Sequence, residues 1–146
     1  MLGLVWFNGA VFGKAAGFNE QQLAGANRPL VLILSVVLGF FVAFALVSLT
    51  IHQQGFFSIM VGEPEFGKDG SASTLAYQQF IVAYGDKFRS FGHGALHGVM
   101  SAITIAFPLF GLQTMREGRG WKYFGAHAGF WLVCFAIMGA LVCGIR

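Results

Sequence analysis

Long runs of apolar residues, separated by short polar stretches, dominate the chain. Three of these runs, at about residues 30–52, 90–115 and 121–145, carry almost no charge. A helix of about 20 apolar residues, rising about 1.5 Å per residue, is long enough to cross the hydrocarbon core of a bilayer. The pattern therefore predicts three membrane helices. Within the second of them, Pro108 predicts a kink, because proline removes a backbone hydrogen bond and clashes with the preceding turn.

A shorter apolar run opens the chain at about residues 1–13. It has about half the length of a membrane span, and it has neither the basic start nor the cleavage site of a signal peptide. We interpret it as a fourth membrane segment that is short or truncated. The predicted fold class is then an all-α integral membrane protein with four segments, which form a single membrane domain over residues 1–146.

The one long polar stretch, residues 60–89, lies between the second and third segments. Its first half is rich in glycine and contains Pro64, which is typical of turns. Its second half, "STLAYQQFIVAYGDKF", places apolar residues at helical spacing. We predict a short amphipathic helix that lies on the membrane surface; a lid over the mouth of a cavity is the alternative.

The composition supports a lipid environment. The chain is 56% hydrophobic and only 10% charged, whereas soluble domains carry about 25% charged residues. The formal charge of +3 comes from nine scattered Lys and Arg residues, which form no basic cluster that would indicate nucleic-acid binding. The two cysteines, Cys134 and Cys143, fall in the last apolar run and are interpreted as small apolar side chains.

The short loops indicate an orientation. Both of them, at residues 14–28 and 116–122, are basic, and short basic loops remain in the cytoplasm. This predicts a membrane protein with both termini and the loop 60–89 on the outer side.

Two histidines stand four residues apart in "SFGHGALHG". His93 and His97 therefore share one face of a helix, the spacing used by helical metal-binding pairs. Counting residues from the loop charges places His52 in the same outer half of the bilayer and His127 near the opposite face.

Three interpretations of these histidines remain open. They pack against a neighbouring helix through hydrogen bonds, they line a polar path, or they hold a metal or a b-type haem. No cofactor is predicted. If a metal is bound, its predicted ligands are His93 and His97. Zinc would need further ligands, for which His52 and the loop carboxylates Glu63, Glu65 and Asp86 are candidates. A haem would need a histidine from a second helix.

Small residues cluster around the histidines in the last two segments. Such residues let membrane helices approach closely, so we predict a helix-packing face, used either within the chain or towards a partner. Its residues are Gly92, Gly94, Gly98, Gly125 and Gly129.

Two stretches resemble a known family. "GLVWFNGAVFGKAAGF" is similar to the "WY-x-P-x-x-FGK-W" element of the DUF1761 family of small bacterial membrane proteins, with Trp6, Phe7, Phe12, Gly13 and Lys14 in its places. The C-terminal half, from "HGALHG" to the last apolar run, resembles the family's histidine-glycine helix, basic turn and last helix. The resemblance implies a four-helix integral protein of a bacterial inner membrane and implies no activity.

The sequence carries no nucleophile paired with a base, no phosphate-binding loop and no carboxylate pair within a span, so we do not predict an enzyme. Small size and glycine-rich faces favour an accessory or structural subunit that self-associates or joins a larger membrane complex. One alternative is a small oligomeric transporter or channel with a histidine-lined path. The other is a metal- or haem-binding redox component.

Overall fold

The structure, a computed structural model, describes residues 2–19 and 27–145, and the part it describes is helical and contains no strand. The helix starting at Phe91 continues to Arg116 with one π-helical stretch inside it. The helices are α1 (Leu2–Trp6), α2 (Arg28–Thr50), α3 (His52–Met60), α4 (Ala72–Tyr84), α5 (Phe91–Arg116) and α6 (Trp121–Gly144).

Three helices are long and apolar enough to cross a membrane, at the three positions where the sequence predicted long apolar segments, and the part of the chain that the structure describes is all-helical. They are α2, α5 and α6, and the most apolar 18-residue stretches of these helices have mean hydropathies of 3.1, 1.7 and 2.0, respectively. Because proline lacks a backbone donor, it is tolerated at the start of a helix, and Pro29 occupies that position in α2.

The predicted fourth membrane segment is not found among the described residues. The N-terminal helix α1 spans only five residues and gives way to turns. The Asn8 side chain accepts a hydrogen bond from the Ala10 backbone N–H (2.9 Å), and such local bonds compete with helix continuation. The segment instead packs on α6, where Trp6 Nε1 donates to the Ala126 carbonyl oxygen (2.9 Å).

Helices α5 and α6 pack antiparallel, with almost no space between their backbones. Gly94 of α5 lies against Gly139 of α6, and Gly98 lies against the Phe135 backbone. Helix α2 leans on this pair with its C-terminal half. There Leu46 forms the apolar core together with Ala102 and Phe135.

Helix α5 passes Pro108 without ending. The irregularity lies just before it, where Ala102–Ala106 form a π-helical stretch and the Phe107 N–H bonds to the Ala102 carbonyl oxygen. A wider turn at this point accommodates the missing proline N–H. The π-helical stretch is a feature that the sequence did not predict, and the kink at Pro108 stays a prediction.

Ile51 separates α2 from α3 with an extended backbone (φ −101°, ψ 94°), so the chain changes direction between the two helices. The end of the bundle where α2 ends, α5 begins and α6 ends is called the histidine end below. Helix α4 packs on α3 there through aromatic rings, with Phe56 and Phe80 centroids 4.1 Å apart. That α4 is amphipathic and lies on a membrane surface stays a prediction.

The predicted location of both termini on one side concerns Met1 and Arg146, which lie outside the described residues. Within the described part, Gly17 lies beside Arg119 near the start of α6. Ile145, in contrast, accepts a hydrogen bond from Arg89 at the histidine end (2.9 Å).

Candidate metal centre

Three imidazoles converge at the histidine end of the bundle. His52, His93 and His97 each offer a ring nitrogen, and these three atoms lie within 4.8 Å of one another. The closest pair, His52 Nε2 and His93 Nε2, is separated by 3.1 Å. His93 and His97 are half-buried and His52 is exposed. We call these residues the histidine triad.

Two local features of the backbone bring the triad together. His52 is the first residue of α3, so the change of direction at Ile51 decides where its ring points. His93 and His97 follow each other on one face of α5, with ring centroids 4.5 Å apart. The start of α5 is fixed by Ser90, whose hydroxyl oxygen accepts a hydrogen bond from the His93 N–H (3.2 Å), a favourable N-cap.

Phe88 supports the triad from the loop before α5. Its ring stacks on His93, with centroids 5.1 Å apart and planes 19° apart, and it meets His52 edge-on. The Phe88 backbone has a φ of +65°, a conformation that costs energy for a bulky residue and is found at functional sites. Sequence reasoning missed Phe88, because nothing in the sequence marks a positive φ at a residue other than glycine.

Cys143 joins the segments around the triad. Its Sγ lies within hydrogen-bonding distance of the carbonyl oxygens of Phe88 (3.4 Å) and Thr50 (3.8 Å). The end of α6 therefore contacts both the end of α2 and the loop before α5. The sequence predicts this thiol to be a small apolar side chain. In the structure it also makes a polar contact with the backbone of Phe88, the residue that stacks on His93.

The donor set suits a transition-metal ion, and one of its nitrogen separations is close to that of two ligands on one zinc ion. Two nitrogens bound to one zinc at about 2.0–2.1 Å are about 3.3–3.4 Å apart, close to the separation of His52 Nε2 and His93 Nε2. Imidazole nitrogen suits zinc, copper, iron and nickel. A haem fits poorly, because all three rings contact one another, so no two of them leave room for a macrocycle between them.

The other predicted ligands lie elsewhere. The described part of the chain contributes no carboxylate or thiol to the triad, and Glu65 pairs instead with Lys68 (3.1 Å). His127 lies towards the start of α6, where its Nε2 is 3.2 Å from the Ala16 carbonyl oxygen. Its ring contacts several aromatic rings, which are those of Phe7, Phe18, Phe110 and Tyr123.

The five glycines of the predicted packing face have different surroundings. Gly94 and Gly98 are buried where α5 meets α6. Gly129 faces the Trp6 ring, whereas Gly92 and Gly125 have open space where a side chain would begin. The close helix contact therefore involves two of the five, together with Gly139.

Comparison with known proteins gives one match. The model of the family described as "Protein of unknown function (DUF1761)" matches residues 1–143. No curated protein and no solved structure matches the chain. Because the family model covers nearly the whole chain, this helical protein belongs to the DUF1761 family.

Proposed function

We propose that this membrane protein binds a divalent transition-metal ion through His52, His93 and His97, with zinc as the best-fitting ion. The single observation that carries the proposal is the convergence of three ring nitrogens within 4.8 Å. Polar side chains in a membrane protein are costly unless they are used. Three of them with ring nitrogens this close together favour a ligand set over simple packing.

The surroundings of the triad support this proposal over a packing role. A packing histidine needs one acceptor on a neighbouring helix, as His127 has in the Ala16 carbonyl oxygen. The triad rings instead contact one another, and the Nε2 atoms of His52 and His93 lie within hydrogen-bonding distance of each other. If the two nitrogens form a hydrogen bond, one of them carries the shared proton; a metal ion that replaced this proton would accept both lone pairs.

Three protein ligands also indicate what kind of metal site this is. Structural zinc sites have four protein ligands, whereas sites that act on a substrate have three and leave a position for water or substrate. The triad supplies three nitrogens, so the ion would keep an exchangeable position. The proposed function is thus a site where a metal contacts a small molecule or is handed on, which develops the metal-binding alternative that the sequence left open.

Zinc titration of metal-free protein in lipid nanodiscs tests the proposal. We expect one zinc per chain, with X-ray absorption showing imidazole nitrogens at about 2.0–2.1 Å. His97→Gln should weaken binding by about a hundredfold or more, because loss even of a residue that only orients a ligand costs 10–100-fold. His127→Gln serves as the matched control and should bind zinc like the unaltered chain. Equal zinc binding in the two variants, or no binding at all, contradicts the proposal.

A self-associating or accessory subunit is the second candidate, and the exposure of α2 favours it. In the most apolar 18-residue stretch of α2, only 6% of the residues are buried within the protein, compared with 22% in the corresponding stretches of α5 and α6. Residues 31–38 are all exposed. We infer that a second copy of the chain covers this half of α2.

Cysteine crosslinking tests this second candidate. Ser35 lies in the exposed half of α2, so Ser35→Cys should form a disulfide-linked dimer in the membrane if two copies meet there. The unaltered chain, with Cys134 half-buried and Cys143 buried, is the control. A Ser35→Cys chain that stays monomeric under oxidation argues that lipid alone covers this surface.

The remaining predictions have less support. A histidine-lined path would have to continue beyond His97, where the neighbouring core consists of Leu46, Ala102 and Phe135. The basic short loops would place the histidine end on the outer side of a bacterial inner membrane. In that orientation the triad would receive its metal from outside the cytoplasm.

A further inference from the structure

Phe88 combines an unfavourable backbone conformation with a position beside the triad. Its φ of +65° lies in the left-handed region, where the Cβ atom of a bulky residue crowds the backbone. The residue keeps 55% of its surface exposed, so burial of the ring in the protein offers little compensation for this cost. Strained residues of this kind cluster at sites where the position of a group matters for function.

Contacts on the residues before and after Phe88 hold it in this conformation. The Lys87 carbonyl oxygen accepts a hydrogen bond from the side-chain amide of Gln53 in α3 (3.0 Å). The Arg89 guanidinium group donates to the carbonyl oxygen of Ile145, directly after α6 (2.9 Å). The segment is therefore fastened to α3 on one side and to the end of α6 on the other. Strained conformations persist only where the surrounding structure fixes them in this way.

The Phe88 ring restrains the imidazole of His93. The two rings are stacked, with centroids 5.1 Å apart and planes 19° apart. A rotation of the His93 ring about its Cβ–Cγ bond, which is otherwise little restricted, would drive the edge of the imidazole into Phe88. The same Phe88 ring meets His52 edge-on, at a centroid distance of 6.0 Å. One side chain thus contacts both imidazoles whose Nε2 atoms lie 3.1 Å apart.

We propose that Phe88 is a positioning residue of the metal site. Its left-handed backbone places its ring on His93 and so keeps His93 Nε2 directed towards the ion shared with His52. The effect on metal affinity rests on the proposed function, whereas the orientation of the His93 ring does not. Glycine at position 88 would remove the backbone strain and the ring together. It should therefore favour the folded backbone and impair the metal site, and these opposite effects distinguish positioning from a contribution to folding.

Zinc titration in nanodiscs compares Phe88→Gly with two control variants. Phe88→Gly should bind zinc about ten- to a hundredfold more weakly, the usual loss when a residue that orients a metal ligand is removed. In the presence of a chelator it should unfold at a temperature no lower than that of the unaltered chain, because glycine adopts a positive φ without steric cost. Phe88→Tyr keeps the ring and should keep the zinc affinity. Glu65→Gly relieves a similar strain (φ +61°) outside the triad and should leave zinc affinity unchanged.

The orientation of the His93 ring is measured separately, by NMR of the metal-free chain with ¹³C-labelled histidine. The chain has four histidines, and comparison with the spectrum of His93→Gln identifies the His93 signals. In the unaltered chain and in Phe88→Tyr, the ring protons of His93 should be shifted upfield by the aromatic ring stacked on them. Phe88→Gly should lose this shift.

The two measurements separate this inference from the proposed function. If Phe88→Gly binds zinc as tightly as the unaltered chain, or loses affinity together with a lower unfolding temperature in the chelator, Phe88 has no positioning role. If no variant and not even the unaltered chain binds zinc, the proposed function is wrong; a His93 signal that depends on Phe88 then upholds the ring orientation and overturns its link to a metal. His93 signals that are the same in Phe88→Gly and the unaltered chain overturn the inference, whether or not zinc binds.

Discussion

Replacing Gly98 with leucine should prevent the chain from folding stably. A Cβ atom at this position would collide with the Phe135 carbonyl group and lie 3.0 Å from the Ala136 Cα. Backbone atoms of a packed helix cannot move aside as a flexible side chain does, so α5 and α6 would have to separate. Overpacking in a core costs about 1–3 kcal/mol and sometimes more. We expect a cost at or above the upper end, because here the steric conflict is with main-chain atoms.

The effect is measured as the yield of monodisperse protein and its thermal unfolding temperature. Gly125→Leu is the matched control, because Gly125 lies in α6 with nothing within 4 Å of the added Cβ. It introduces the same side chain into a membrane helix and should leave the unfolding temperature almost unchanged. A Gly98→Leu chain that unfolds at the temperature of the Gly125→Leu chain would show that α5 and α6 are not in contact at this point.

Zinc should raise the stability of the folded chain strongly. The triad nitrogens come from α3 and α5 and converge only when α2, which leads into α3, packs on α5, so zinc should bind the folded state far better than the unfolded one. At a free zinc concentration a thousandfold above the dissociation constant, such binding adds about 4 kcal/mol to the free energy of unfolding. The unfolding temperature should therefore increase with zinc concentration and fall back when a chelator is added.

The zinc-dependent difference, measured within each variant, separates metal binding from general destabilisation. His93→Gln should lose this difference, whatever its stability in the chelator. His127→Gln should keep it, because His127 lies outside the triad and bonds to Ala16. An equal stabilisation by zinc in both variants would place the metal elsewhere in the chain.

The three long helices could be predicted from the sequence because each depends mainly on its own composition. A run of about 20 uncharged residues is compatible with the bilayer wherever its neighbours lie. The structure of the N-terminal apolar run was harder to predict, because composition alone did not determine it. Its apolar residues suggested a membrane segment, but Asn8 and the glycines after it form turns, and the segment contacts α6 through Trp6.

The triad was partly accessible from sequence. The spacing of His93 and His97 placed them on one helix face, and counting along the helices placed His52 at a similar depth. Depth alone does not say whether two helices are neighbours, nor which way a side chain points. The roles of Phe88 and Gln53 depend on contacts between segments that are far apart in the chain, so no local pattern indicated them.

The sequence by itself determined that the chain forms three helices long and apolar enough to cross a membrane, because this property depends on local hydropathy. Only the tertiary structure decided which small residues bring helices together and which polar residues meet. Gly94 and Gly98 lie at the α5–α6 contact whereas Gly92, on the same helix, does not. The change of direction at Ile51 brings His52 to His93. Both outcomes depend on how closely two backbones approach, which is a property of the packed pair and not of either segment.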